Sequence, residues 1–369
     1  MIRCFLFCLS LFLLVNVNAQ QVSLECGTVG KASWVNVLQQ KAKAKNYLKD
    51  HKSSQLDLIP FQIHLVVKSD GTSGLSVQQI RAEMDSVNSF YANANMFFYE
   101  CQSPDIIYDD SLYDFEYNNE ESILLSQHYT NNIINLYFAN TTRINGTLVC
   151  GYSRFPPSQD YAVIETACAT NGSTLAHEIG HYFGLFHTHG DISQGELVDG
   201  SNCAFDGDLI CDTPADPTLG SANVNTSCMY TGTSVDANFM LYTPDVSNIM
   251  SYSRKYCRHK FSPEQYNVIY NTMQVERGYL SCPSVTGMES YSKSNYKLYP
   301  NPGTEVLSIQ MEDRDSVEIK IFNVVGGCIF KNTFSTELNI DAMNFTPGIY
   351  FYLLTTKNHS YSGKWIKSE

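Results

Sequence analysis

The stretch "LAHEIGHYFGLFHTHG", residues 175–190, decides how the rest of the chain is read. On a helix, residues four apart share one face, one turn from each other. His177 and His181 therefore point the same way, close enough for two imidazoles to hold one ion. Glu178 follows the first of them, so its carboxylate projects beside the ion rather than onto it. Gly184 comes one turn later, where a left-handed residue ends a helix sharply. The chain then swings round and offers His187 from another direction. Three nitrogens with one open position is the arrangement of a catalytic zinc, not of a closed structural one. Gly180 removes a side chain where the helix packs closely, at a cost in helix propensity. His189 fits no position in this pattern and reads as a surface loop residue.

A lone histidine is usually structural or solvated. Here five fixed positions match HExxHxxGxxH, three of them histidine. Average residue frequencies give on the order of 10⁻⁵ chance matches in a chain of this length. The chemistry follows from the donor set. Zinc lowers the pKa of its water and polarises a carbonyl oxygen. Glu178 accepts the water proton during attack and delivers it to the departing amine. That is peptide-bond hydrolysis without a covalent intermediate.

Composition bounds the setting. The chain has 369 residues, a net charge of −13 and 43% hydrophobic residues, enough for two domains with real cores. No Lys/Arg cluster resembles a nucleic-acid footprint, so nucleic acid is excluded as an expected partner. The start, "MIRCFLFCLSLFLLVNVNAQ", reads as a secretory signal peptide over residues 1–19, cut after Ala19. Its apolar run is too short to span a bilayer, and no other segment is a transmembrane candidate. Secretion permits disulfides. Eight cysteines (Cys101, Cys150, Cys168, Cys203, Cys211, Cys228, Cys257 and Cys282) lie in the central region, an even number whose pairing the sequence leaves open. Cys26 and Cys328 lie outside it, near the two ends.

The organisation along the chain follows composition. Residues 20–54 are polar and Lys-rich and read as a removable pro-region. Residues 55–282 form the main domain. "LIPFQIHLVV", "MFFYE", "NIINLYFAN" and "YAVIET" read as strands, "SVQQIRAEMDSVNSFYANAN" as a helix opened by serine, and "SPEQYNVIYNTMQVER" as a capped helix. The expected class is α/β (α+β), with a mixed sheet and an irregular lower region over 188–247. Residues 283–295 are a linker. Residues 296–369 alternate short strands and turns, as a small all-β sandwich does.

At the histidines the chain resembles the metzincin metallopeptidases. That clan places a methionine turn beneath its zinc. "NIMSYS" supplies the match: Met250 as the apolar base, Tyr252 as a hydroxyl that stabilises the oxyanion. Within the clan, "HEIGHYFGLFHT", "GDLICDTPAD" (207–216) and "NIMSYSRKYCRHKFSPEQ" (248–265) resemble the pappalysin family. The resemblance covers most of residues 56–280. It implies extended peptide or protein substrates lying in a cleft and pairing with an edge strand, for which "YAVIET" (161–166) is the candidate. It implies calcium beside the "DTP" block, held by Asp208, Thr213 and the carbonyls around Gly207 and Ile210. Glu196 or Asp199 would be the upstream carboxylate. It implies that Cys203, Cys211, Cys228 and Cys257 are bridged within that region. The family's pro-regions give Cys26 a role, a thiolate that blocks the open zinc position in a latent zymogen. Activating cleavage would then fall near residues 49–56.

The C-terminal module has a resemblance of its own. "YPNPGTEVLSI", "IFNVVGG", "PGIYFYLL" and "GKWIK" resemble the sorting domain of type IX secretion substrates. This implies the type IX machinery as a partner, export through a bacterial outer membrane, and possible surface attachment. A carbohydrate-binding or substrate-docking sandwich is the rival for the module. For the whole chain the expectation is a secreted zinc endopeptidase. The alternative is an inactive surface adhesin or binding module that retains the peptidase fold.

Overall fold

The computed structural model describes residues 26–27, 37, 40–41, 43–45, 56–190, 195–282, 296–311, 316–323, 328–356 and 360–368. The expected signal peptide, most of the pro-region, the linker and the activation window up to residue 55 lie outside the described residues.

Strand β1 (Asp57–Val67) lies inside the main sheet with strands on both sides, and its near-continuous apolar run follows from burial of both its faces. On one side it pairs in parallel with β2 (Met96–Glu100) and then β3 (Asp105–Tyr108). On the other it pairs in parallel with β5 (Ile134–Ala139), and β5 pairs in parallel with β9 (Tyr161–Glu165). The last strand, β8 (Gly151–Ser153), runs antiparallel along β9. The sheet is therefore mixed, as expected, but the edge differs. Strand β9, the expected substrate edge, is interior, and β8 takes the edge. Three residues are too few to show an alternation in sequence, so "GYS" carried no strand signal. A small second sheet joins β4 (Asp114–Glu116), β6 (Thr141–Ile144) and β7 (Thr147–Leu148) above this edge of the chain.

Helix α1 (Val77–Tyr91) opens with a capping box. Ser76 accepts from the Gln79 backbone N–H, and the Gln79 side chain accepts from the Ser76 N–H at 3.0 Å. Its Ile80, Met84, Val87 and Tyr91 enter the main core beside β1 and β5. Helix α2 (Tyr117–Gln127) follows, and α3 (Thr174–Tyr182) carries the first two histidines. Between α3 and α4 (Pro263–Glu276) the described residues form turns, isolated bridges and one short 3₁₀ turn rather than a sheet. Here disulfides substitute for a ladder: Cys203–Cys211 and Cys228–Cys257 pin the loops. Two more, Cys101–Cys282 and Cys150–Cys168, tie the sheet region. Helix α4 begins with Pro263 after the N-cap Ser262 and repeats the capping-box device with Gln265.

The C-terminal domain is a sandwich of two antiparallel sheets. One holds β10 (Tyr296–Tyr299), β11 (Val306–Met311) and β14 (Glu337–Asp341). The other holds β12 (Val317–Phe322), β13 (Cys328–Phe334), β15 (Gly348–Thr355) and β16 (Ser360–Lys367). Leu307, Ile319, Ile321, Leu354 and Trp365 fill the space between them.

The end of α4 is locked to the helix of the histidines by a buried ion pair. Arg277 Nη1 lies 2.9 Å from Asp160 Oδ1, with side chains only 1% and 6% exposed. Tyr182 at the end of α3 donates to the same oxygen at 2.6 Å, and the guanidinium lies over the Tyr182 ring. Removing one partner of such a pair leaves the other charge buried. Arg277→Met is expected to lower stability by about 3–5 kcal/mol, read as a shift of the urea midpoint. A midpoint within experimental scatter of the parent would show that the pair is dispensable.

Candidate metal centre

Helix α3 is buried along its whole length. It ends where Gly184 takes φ +88° and its N–H returns to the His181 carbonyl at 2.8 Å. The chain reverses there, and Leu185 N–H reaches the Gly180 carbonyl. His187 is thereby brought against the two helical histidines. His181 Nε2 lies 3.2 Å from His177 Nε2 and 3.0 Å from His187 Nε2.

The other ring nitrogens fix what these contacts are. His177 Nδ1 lies 2.7 Å from the Ile249 carbonyl, and His181 Nδ1 lies 2.7 Å from the Leu185 carbonyl. A carbonyl only accepts, so both Nδ1 atoms carry the proton and both Nε2 atoms present lone pairs. The lone pairs of His177 and His181, facing each other at 3.2 Å inside a buried site, suit a shared cation. Burial and the neighbouring His181 and His187 also push His177 well below the usual imidazole range, which keeps it neutral and able to ligate. The donor set thus fits a metal ion. The carbonyls at Nδ1 are the outer partners that orient metal-binding imidazoles.

Met250 lies beneath. It is fully buried, and a Cβ added at Gly180 would sit 2.5 Å from its sulfur, so Gly180 makes room for the methionine. Its own turn is held by Asn248, whose side chain accepts from the Met250 N–H and pairs with Gln265 at the start of α4. Tyr252 packs its ring 4.6 Å from His187 and 6.2 Å from His177, centroid to centroid. Glu178 is fully buried, and its carbonyl accepts from Ser153 Oγ on the edge strand. The sulfur of Cys26 lies 3.6 Å from Glu178 Oε2. One ring nitrogen from each of the three histidines and the Cys26 sulfur all fall within 4.8 Å of one another.

Two features here were not read from sequence. His189, read as a surface residue, stacks flat on His187 with centroids 4.9 Å apart and also meets Tyr252. Its offset of two from His187 matches neither a helical nor a motif spacing. Asp216, the last residue of the "DTPAD" block, is buried and accepts from Thr188 Oγ1 at 2.5 Å. It clamps the residue after His187, while the Thr188 N–H binds the Met250 carbonyl.

A second acidic pocket lies alongside. Asp208 is fully buried, and its Oδ1 accepts from Thr213 Oγ1 at 2.9 Å and from the Ile210 N–H. Among the described residues its Oδ2 and Glu196 Oε2 are buried with no partner. Gly207, at φ +64°, leaves room for the Glu196 carboxylate where a Cβ would collide with it. Burial, then repulsion from Asp208, pushes Glu196 up to about 8. Burial likewise pushes Asp208 up to about 7, with Lys41 and Thr213 acting against the rise. Orphaned carboxylate oxygens beside carbonyls fit a hard divalent cation. Asp199 is not part of this group: it is exposed and binds the Ser201 N–H at 2.9 Å. Of the two upstream carboxylates considered, the structure brings in Glu196. Lys41, from the Lys-rich segment, donates to the Asp208 carbonyl and lies over the Phe186 ring.

Known proteins resemble parts of this chain. Residues 297–368 match the secretion system C-terminal sorting domain family. The chain carries that domain, which directs export by type IX secretion, and its place of work is outside the cell. Among the described residues no helix is long and apolar enough to cross a membrane. An extracellular metalloprotease of Arthroderma benhamiae is 25% identical over 228 residues, covering 58% of this chain and 76% of the relative. A second extracellular metalloprotease of that organism is 31% identical over 150 residues, covering 36% of this chain and 44% of its own length. Metalloproteinase-II of Bacteroides fragilis has a solved structure that covers 41% of this chain and 51% of its own, at 16% identity and a TM-score of 0.25.

Proposed function

We propose that this chain is a secreted zinc endopeptidase of the pappalysin type, made as a latent precursor. The observation that carries the reading is the convergence of three buried Nε2 atoms next to Glu178. The printed names of the relatives support it. His177, His181 and His187 would hold the ion. Bound zinc supplies an acidified water and polarises the scissile carbonyl. Glu178 takes the proton of that water and hands it to the departing amine; burial keeps its carboxylate from idle solvation. Tyr252 directs its hydroxyl to the charge that develops on the carbonyl oxygen. Met250 and the turn at 248–252 fix the ring of His177 through the Ile249 carbonyl.

The same reading assigns residues 1–19 as signal peptide, 20–54 as pro-region and 283–295 as linker to the sorting domain. In the precursor Cys26 blocks the open position of the ion, a role its place among the three histidines supports. Calcium fills the pocket of Asp208, Glu196, Thr213 and the carbonyls of Gly207 and Ile210, a role supported by the orphaned carboxylate oxygens.

Three measurements test this. Glu178→Ala is expected to keep one zinc per chain by elemental analysis and to cut casein at least about 10²–10⁴-fold more slowly. Cleavage at the parent rate would refute the role of Glu178, and correctly processed protein without zinc would refute the centre. Cys26→Ala is expected to mature sooner in a time course of purified precursor; an identical course would remove the thiol from latency. Calcium is expected to raise the Tm of the parent after EDTA treatment. It should raise that of Glu196→Gln and Asp208→Asn little, since each loses a ligand charge. Equal rises in all three would place calcium elsewhere.

A further inference from the structure

Residues Cys26 and Gly27 lie along the outer edge of β8. The Gly27 N–H donates to the Gly151 carbonyl at 2.9 Å, so the segment adds to the sheet where an extended substrate would. Gly27 is the first residue along that edge from the one whose sulfur sits among the histidines. The hairpin of β6 and β7 closes over it. A Cβ added at Gly27 would overlap Ile144 Cδ1 and lie 3.1 and 3.2 Å from the two γ-methyls of Val149. Ile144 meets it with the tip of a half-buried side chain, which can turn aside, whereas Val149 is 3% exposed and β-branched and has little room to shift. Its N–H is held by the Thr142 carbonyl at 2.9 Å. Gly27 is not among the glycines at positive φ, so it serves for room and not for backbone shape.

We infer that Ile144 and Val149 narrow the subsite beside the metal along β8, so that a bound polypeptide favours glycine over larger residues at that place. Either neighbour of the scissile bond fills this subsite, depending on the direction in which the substrate lies. This specificity rests on the peptidase reading above, and it gives the hairpin a role that the histidine motif does not. It also explains why the blocking cysteine is followed by glycine. A β-branched residue at 27 pushes the segment off β8 and draws the sulfur out of the centre.

Two experiments test it. In peptide-library cleavage by the matured enzyme, one of the two positions flanking the scissile bond is expected to favour glycine. Ile144→Ala is expected to admit alanine and larger residues there, with a relative kcat/KM gain of about tenfold or more. Bulky residues at both positions in the parent, or an unchanged profile in Ile144→Ala, overturns the inference. The second experiment needs no activity. In Glu178→Ala precursor, Gly27→Val is expected to raise iodoacetamide labelling of the Cys26 peptide about tenfold, and Ile144→Ala to bring it back towards the start. Labelling of exposed Cys328 serves as the reagent control. Unchanged labelling of Cys26 refutes the narrowed subsite. A library that no form of the enzyme cuts refutes the peptidase reading instead, and the labelling result still decides on Ile144 and Val149.

Discussion

Crowded imidazole lone pairs are the constraint on which this domain is built. Two of the three histidines have their Nδ1 protons committed to backbone carbonyls, at 249 and 185. Their Nε2 atoms are therefore driven together with no proton between them and no access to water. Such a cluster is unfavourable unless something positive sits among it, and the fold spends many of its parts holding it in place. The helix gives the four-residue spacing. The left-handed Gly184 gives the reversal. The turn at 248–252 gives both a carbonyl for His177 and the methionine that fills the gap left by Gly180. Each of these would be a poor choice for stability alone: glycine weakens a helix, and a buried histidine loses its hydration.

The irregular half of the domain answers the same need by other means. Among its described residues turn hydrogen bonds and aspartate and asparagine side chains satisfy the backbone in place of a ladder, and disulfides hold the loops together. Asp216 reaches Thr188, next to His187, and so joins the "DTPAD" block to the centre. The acidic pocket lies equally close. A Cβ on Gly190 would fall 2.8 Å from the Gly207 carbonyl, so the loop that carries His187 rests directly on the loop that carries Asp208. Charge placed in that pocket therefore bears on the third histidine through packed backbone rather than at a distance. Without a cation beside them the two buried carboxyls hold their protons to higher pH, which is the rise seen at Glu196 and Asp208.

The sequence disclosed these parts unevenly, for physical reasons. Helices α1 and α4 announced themselves because each opens on a serine, Ser76 with a helical spacing behind it and Ser262 with Pro263 and Glu264, whereas α2 has no side-chain cap and gave no such signal. Strands β1, β2, β5 and β9 showed as apolar runs because they are buried on both faces. What failed to show depends on tertiary position. Strand β8 is three residues long, so the edge was assigned to its neighbour β9. His189 gained its place only when the loop closed over His187. The choice of Glu196 over Asp199 turns on which carboxylate Gly207 admits, and no spacing along the chain encodes that. The motif fixed ligand identity because a helix and one turn are local; the subsites needed the hairpin of β6 and β7, which is not.

Latency, on the proposed reading, draws on the same constraint as activity. The Cys26 sulfur lies 3.6 Å from a carboxylate oxygen of Glu178. A thiolate is not stable beside a buried carboxylate by itself, because both charges are negative and neither is hydrated. A cation among the three histidines changes the sign of that balance and makes the thiolate the favoured form. The pro-segment would then owe its grip to the ion it masks. Gln40, which donates to Glu276 at 2.7 Å, and Val37, buried against Phe155, Phe186 and Leu209, supply contacts that outlast any exchange at the metal. Displacing the sulfur alone therefore leaves the segment tethered through Val37 and Gln40, and cutting the chain between them and the enzyme domain turns that tether from an internal contact into one that can dissociate.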